Sequence, residues 1–479
     1  MIYSSYDFLL LLPAILVWFY CARSATTQRV VVLFVSMGFL AWAGLWNLLV
    51  VAALIAVVFV YFKIEQYIQL GKAGLGVVIA LLVANLAYFK YRHFLSSSFG
   101  LDLPTVTMIA WVVPLGISFY TFEAISAVID LRRRRQIVGP LDWSLFMMFF
   151  PHLIAGPIVR FRQLAPQFSG LKLFKLRNLT VGMHLFTLGF LKKLAADPIG
   201  QIIDPVWGEP SDASGITLLL ALLGFYVQLY ADFSGYTDMG RGIARMLGFR
   251  LPLNFRAPFL AASPAEFYQR WHVSLSSWIR TFVYDTLSIS VLRRVRSRKL
   301  QNYALFAVIL SVMAVFGLWH GAAWHFILFG VAQGLVIAGW QIVTRGKPPR
   351  TSLGWIFSVL VLQVTWLASL VLFRADSVTA AGAFFAGLLQ GGPLADPRLL
   401  WCLVALAVAL LVQVVDYCVR QRFIARALIA LRRPGLGAVA VALLFVTALT
   451  VRMAVDNNRL AAQAAGTALP TAGFIYFRF

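Results

Sequence analysis

Two of the chain's six histidines, His320 and His325, lie in FGLWHGAAWHFILFG (316–330), each directly after a tryptophan in a stretch otherwise fit for lipid. A third, His272, stands in SPAEFYQRWHVSLSSWIRTF (263–282), with Arg270 before it and Arg280 after it. Imidazole has an ordinary pKa of about 6.5, so it exchanges protons at cellular pH, which is what a general base must do. It can also stay neutral, and so is cheaper in an apolar span than the fully charged side chains, which cost about 2.5 kcal/mol or more. Gly317 and Gly321 flank His320 and let a substrate or another backbone come close. Structural readings compete throughout. A membrane histidine commonly hydrogen-bonds a neighbouring helix. That reading leads for His325, which sits about 140° round a helix from His320. It also leads for His152 in FFPHLIAGPIVRF, and for His93 and His184. His272 reads equally as an interfacial residue. Asp232 and Asp238 in LYADFSGYTDMG read equally as a polar site at a helix end or as capping and turn residues.

The elements that must position these groups are membrane helices. The 479 residues are 61% hydrophobic and 12% charged, and mean hydropathy is +0.83, beyond what a water-soluble chain of this size needs. Apolar runs fall near 7–21, 30–62 (long enough for two), 73–89, 104–128, 144–158, 178–191, 215–231, 302–318, 322–343, 354–373, 399–417 and 436–455. At about 20 residues per crossing, that gives about 10 to 12 membrane segments in an all-α polytopic protein. The first run lacks a basic n-region and carries Asp7, so it reads as a retained helix. With no internal repeat or low-complexity linker, residues 1–479 read as a single membrane domain.

Lys and Arg outnumber Asp and Glu by 41 to 18, for a formal charge of +23. The charges sit between apolar runs: Arg132 to Arg135, Lys172 to Arg177, Lys192 with Lys193, Arg345 to Arg350, and Arg420 to Arg433. Positive-inside topology and anionic lipid headgroups account for them, and nucleic acid is not an expected partner. Residues 241–299 hold 11 Lys or Arg against Glu266 and Asp285, and read as a segment on the cytoplasmic face. Within it Ser263, Pro264 and Glu266 fit N-cap, N1 and N3 of a helix. Trp271, Leu275, Trp278 and Phe282 then form one apolar face, with His272, Ser276 and Arg280 beside it. The spacing predicts one interfacial helix.

Cys21, Cys402 and Cys418 have neither metal spacing nor a disulfide pattern. The chain has no GxxxxGK[ST] phosphate loop, HExxH helix, GxGxxG turn or GxSxG elbow. Those absences remove ATP-driven pumps and the usual metalloprotease and serine hydrolase designs, and no metal site is expected.

These stretches resemble the membrane-bound O-acyltransferase family from one end of the chain to the other. The likeness is carried by MIYSSYDFLLLLP, PLGISFYTFEAISAVIDLRR (114–133), FFPHLIAGPIVRFRQLAPQF (149–168) and LYADFSGYTDMGRGIARMLGFRLPLNFRAPF (229–259). RWHVSLSSWIR (270–280), LWHGAAWHFILFG (318–330), LFRADS (372–377) and the terminal FIYFRF complete it. It is nearest the bacterial alginate O-acetylation branch, with teichoic acid D-alanyl transfer as a cousin. The resemblance implies a helical bundle with re-entrant or interfacial helices around a central tunnel. It also implies His320 as the active-site histidine and His272 as the second catalytic position, with Trp319 or Trp324 shaping the passage. The implied reaction moves an acyl group, acetyl above all, from a cytoplasmic thioester such as acetyl-CoA to an extracytoplasmic polysaccharide. No tightly bound cofactor is needed, and Arg270 and Arg280 are expected near the donor phosphates. The implied setting is the bacterial inner membrane. The implied partners are membrane lipids, a periplasmic protein resembling SGNH esterases and an acyl-carrier protein. D-alanyl transfer and a non-catalytic lipid or glycan transporter stay open as alternatives. The loop after the RWH stretch, YDTLSISVLRRVRSRK, departs from the branch's usual YIPLGGNR type and leaves the donor's identity open.

Overall fold

The computed structural model describes residues 3–101, 113–134 and 138–420, together with 446, 449 and 450. Every regular element among them is helical. Among the described residues, eight helices are long and apolar enough to cross a membrane: Ala25–Trp42, Leu45–Ile68, Gly71–Phe99, Gly215–Met246, Arg298–His320, Trp324–Thr344, Ser352–Arg374 and Pro397–Tyr417. Tyr6–Cys21 and Val378–Gly387 are shorter apolar helices. The protein is therefore an all-α, multi-pass membrane protein. The 30–62 run does divide into two spans. The 144–158 run does not cross: it is a short helix followed by a buried, turn-rich stretch. Most of the 436–455 run, the basic residues 421–433 and the terminal FIYFRF lie outside the described residues, as do Arg135 and residues 104–112 of another expected span.

The described chain forms two compact units, residues 1–186 with 236–252, and residues 187–235 with 253–479. The first contains α1 (Tyr6–Cys21), α2 (Ala25–Trp42), α3 (Leu45–Ile68), α4 (Gly71–Leu86), α5 (Arg92–Phe99), α6 (Ile117–Arg134), α7 (Pro140–Met148) and α8 (Phe161–Leu164). Two long helices, α9 (Leu176–Gly208) and α10 (Gly215–Met246), contribute to both units. In the first unit, side chains satisfy the backbone of the irregular segments, as apolar surroundings require. Asn47 Oδ1 accepts from Leu115 N at 2.8 Å, and Trp143 Nε1 of α7 donates to the Ile55 carbonyl inside α3 at 3.1 Å, tying the two helices. Ser36 Oγ accepts from Phe150 N at 3.2 Å, while the Tyr3 hydroxyl donates to the Phe150 carbonyl.

The second unit holds α11 (Pro264–Tyr268), α12 (Val273–Ile279), α13 (Asp285–Arg294), α14 (Arg298–His320), α15 (Trp324–Thr344), α16 (Ser352–Arg374), α17 (Val378–Gly387) and α18 (Trp401–Arg420). α14 and α15 form a hairpin whose backbones touch. A Cβ on Gly317 would stand 2.0 Å from the Phe326 carbonyl oxygen, and one on Gly330 would stand 2.0 Å from that of Met313. Small residues at this crossing let the helices meet with no side chain between them.

The single interfacial helix expected over 263–282 is broken. Ser263 does cap its start, accepting from Glu266 N at 3.2 Å. The helix then stops at Tyr268, and residues 269–272 form a turn that ends with His272 in the left-handed region, at φ 44°. The competing force is backbone hydrogen bonding to the upstream residues 254–256. Arg256 N donates to the Arg270 carbonyl at 2.9 Å, and Val273 N to the Asn254 carbonyl at 2.9 Å. Periodicity alone gives no hint of those bonds. The expected apolar face survives the break: Trp271, Leu275 and Trp278 are buried, and Phe282 is half-buried.

Candidate active site

His320 is the last residue of α14, which Gly321 ends by turning to extended backbone. Its ring is enclosed by three helices and not by lipid. Phe316 lies edge-on at 4.9 Å between ring centroids, Phe373 of α16 at 5.0 Å and Phe329 of α15 at 6.0 Å. Trp319 closes the fourth side at 4.8 Å, and the residue is 7% exposed. Gly321 admits the Phe326 ring, which a Cβ would meet at 1.9 Å. Both flanking glycines thus serve protein packing.

His272 neighbours the same tryptophan, 6.1 Å from Trp319 between ring centroids, and lies 4.6 Å from Phe233 of α10. The structure therefore gathers the two histidines, 48 positions apart, around one indole. Burial pushes the His272 pKa down to about 3, so its ring is neutral across the physiological range.

A cavity of about 640 Å³, within the usual size of ligand sites, is lined by neighbours of this pair, while neither histidine lines it. Its polar lining includes Arg256, Gln269, Ser276 and Arg280. An apolar wall comes from Ile309, Val312, Met313 and Phe316 of α14. Phe316 is also one side of the box around His320, and Val273, another lining residue, follows His272. A buried polar chain ties the elements together. The Tyr268 hydroxyl donates to Gln333 Oε1 at 3.0 Å, Gln333 Nε2 to Ser369 Oγ at 2.6 Å, and Ser369 Oγ to the Trp366 carbonyl at 2.6 Å. The chain fastens α11, which leads into the His272 turn, to the spans α15 and α16.

Arg280 lines the cavity. Arg270 is instead engaged by Glu266, the Ala257 carbonyl at 3.2 Å and the Tyr417 ring at 5.3 Å. The sequence reasoning did not single out Arg256, although LNFRAPF was part of the likeness; nothing in its spacing marks it as the cavity's second cation. Gln333 and Ser369 were missed too, and polar residues inside apolar spans were the available signal.

The remaining candidates do other things. His325 Nδ1 lies 2.9 Å from the Leu372 carbonyl, a tie between α15 and α16. In the first unit, His152 Nδ1 lies 3.2 Å from Glu123 Oε1, and the same oxygen accepts from Val159 N at 2.8 Å, pinning the buried stretch. His93 and His184 are exposed. Asp232 and Asp238 sit well inside α10, as neither helix-end nor turn residues. Asp232 and Asp197 hold the buried Lys193 ammonium at 2.6 and 2.7 Å, and Asp238 pairs with Arg241 at 2.8 Å.

An all-helical membrane bundle with two imidazoles neighbouring one indole, near a cavity with cations and an apolar wall, has the groups that proton-coupled group transfer in a membrane needs. The comparisons with known proteins agree. The family model for the membrane-bound O-acyltransferase family matches residues 39–373. The chain is 35% identical over 418 residues to the "probable alginate O-acetylase AlgI" of Azotobacter vinelandii, covering 82% of this chain and 79% of that protein. It is 29% identical over 378 residues to the peptidoglycan O-acetyltransferase of Helicobacter pylori, covering 70% and 69%. It is 31% identical over 231 residues to the teichoic acid D-alanyltransferase of Streptococcus thermophilus, covering 46% and 55%. The chain belongs to the membrane-bound O-acyltransferase family, and it is an O-acyltransferase.

Proposed function

We propose that this enzyme moves an acyl group, acetyl in the first instance, from a thioester on the cytoplasmic side of the bacterial inner membrane to an extracytoplasmic polysaccharide. The observation that carries the reading is the pair His320 and His272 around Trp319, one side chain from a cavity suited to an acylated pantetheine arm. Arg256 and Arg280 hold the donor's phosphates, as cations at the cavity's polar side. Arg270 braces the turn beside them. The apolar wall of α14 takes the acyl group and the methylenes behind it.

In the reaction His320 removes the proton of an acceptor hydroxyl as its oxygen attacks the thioester carbonyl. The C–S bond then breaks, an ester forms, and the leaving thiolate takes up a proton. A thioester is already activated, so no nucleotide hydrolysis is required. Being neutral, His272 works by hydrogen bonding and not as an imidazolium acid. The alginate- and peptidoglycan-modifying relatives make a uronate polymer or a cell-wall glycan the favoured acceptor, with a periplasmic protein resembling SGNH esterases completing delivery. Donor delivery by an acyl-carrier protein is the second reading, favoured by the arginines Arg293, Arg294, Arg296 and Arg298 around the end of α13.

The test compares polymer O-acyl content in wild type, His320→Ala and His272→Ala at equal membrane protein levels. Loss of ester in the His320 variant is expected. Unchanged ester content would refute the catalytic assignment and return the transporter reading.

A further inference from the structure

The turn that presents His272 is organised by one buried side chain, Asn254, which is 1% exposed. Its backbone carbonyl accepts from Val273 N at 2.9 Å. Its Oδ1 faces Ser274 N at 3.2 Å, Ser274 Oγ at 2.9 Å and His272 Nδ1 at 3.2 Å. A backbone N–H can only donate, so the amide atom facing Ser274 N must be the oxygen. Flipping the amide would aim one donor at another. An oxygen can hold His272 Nδ1 only if that nitrogen carries the proton. In the neutral ring the lone pair then belongs to Nε2.

We propose that Asn254 is a positioning residue for acyl transfer: it locks His272 in the Nδ1–H tautomer, so that Nε2 accepts a hydrogen bond from an O–H or N–H of the substrate. The inference rests on His272 belonging to the transfer site, as proposed above, and it narrows the part that residue plays. A ring in this tautomer cannot donate from Nε2 to the thioester carbonyl, so carbonyl polarisation falls to another group. The backbone supports the assignment. His272 sits at φ 44° and ψ 52°, a left-handed conformation that costs about 1–2 kcal/mol for an L-residue. The bonds from Asn254 to residues 272–274 over-determine that conformation, as strained functional positions require. Phe233 of α10 and Trp319 of α14, both uncharged, also pack against the ring. Among other charged or titratable groups of this unit, Asp232 holds Lys193, Arg270 holds Glu266, Arg256 lines the cavity, and His320 neighbours Trp319.

Two measurements on the full-length protein in lipid nanodiscs test the proposal. The first is nitrogen-15 histidine NMR at neutral pH, with the His272 signals assigned by their absence in His272→Gln. A protonated Nδ1 and an unprotonated Nε2 are expected; the opposite tautomer overturns the inference whatever the activity. The second is the pH profile of acyl transfer in Asn254→Asp, which keeps the accepting oxygen but sets a carboxylate against the ring. A carboxylate there raises imidazole proton affinity by about 1–3 pH units. Near-wild-type turnover at high pH is expected, with activity lost at a higher pH than in wild type as conditions become acidic. A profile that overlays wild type overturns the proposal. Asn254→Leu should lower kcat on the order of 100-fold with little change in donor KM. If that variant does not accumulate, the Asp variant and the tautomer still decide. An active His272→Ala enzyme beside the expected tautomer would defeat the functional reading while leaving the tautomer assignment intact.

Discussion

Gly317→Ala tests whether the backbone contact between α14 and α15 sets the position of His320. The added methyl group would sit 2.0 Å from the Phe326 carbonyl oxygen and 2.8 Å from Gly330 N, where ordinary carbon contacts begin at 3.4 Å. Both obstacles are backbone, so no rotamer change relieves them. The helices must separate by on the order of 1 Å, a displacement that costs about 100-fold in rate when it reaches a catalytic group. His320 follows three residues later on the same helix and shares its box with Phe329 of α15, so it has to move. Overpacking of this kind also lowers stability by about 1–3 kcal/mol. The control is Gly339→Ala, farther along α15, where a Cβ meets nothing within 4 Å. Rates of acyl transfer from a thioester donor to polymer should fall about 100-fold in the first variant and stay near wild type in the second. Equal rates in the two variants at matched folded protein would refute the argument.

Three other outcomes follow from the site and its supports. Arg256→Ala and Arg280→Ala should each raise donor KM on the order of 5-fold with kcat little changed, because exposed charges contribute modestly, and added salt should shrink the difference. His272 has its folded pKa pushed down to about 3 from an ordinary 6.5, so between those values the unfolded chain binds a proton that the folded chain does not. Stability therefore falls as pH drops below about 6.5, by about 1.4 kcal/mol per unit, and thermal unfolding of His272→Gln should show a weaker acid dependence than wild type. Lys193→Met leaves two buried carboxylates without the ammonium between them, and a loss of about 3–5 kcal/mol should appear as a lower Tm or failure to accumulate.

Much of this was legible in the sequence because apolar length is a crude and dependable signal. Spans such as α3 and α16 announce themselves by composition. The 144–158 run misled because a stretch buried inside protein is as apolar as one facing lipid. Its turns are stabilised by Glu123 and Ser36, which are distant in sequence. The same reason explains the broken helix at 269–272. Its periodicity is helical, yet Asn254 and Arg256, more than a dozen residues upstream, take over its backbone bonds. His320 and His272 stood out as titratable groups in apolar context. Their meeting around Trp319 did not, because no local pattern encodes which faces of α14 and the 269–272 turn approach each other. Arg256 was invisible for the opposite reason, being one cation in a stretch crowded with them.

A contact made by backbone alone has no side chain to rearrange, so the α14–α15 hairpin has no slack at Gly317 and Gly330. Its two helices must travel as one piece during a catalytic cycle, carrying His320 with them. Any widening of the gap between the imidazoles must then arise on the opposite bank, by relaxing the left-handed kink at residue 272.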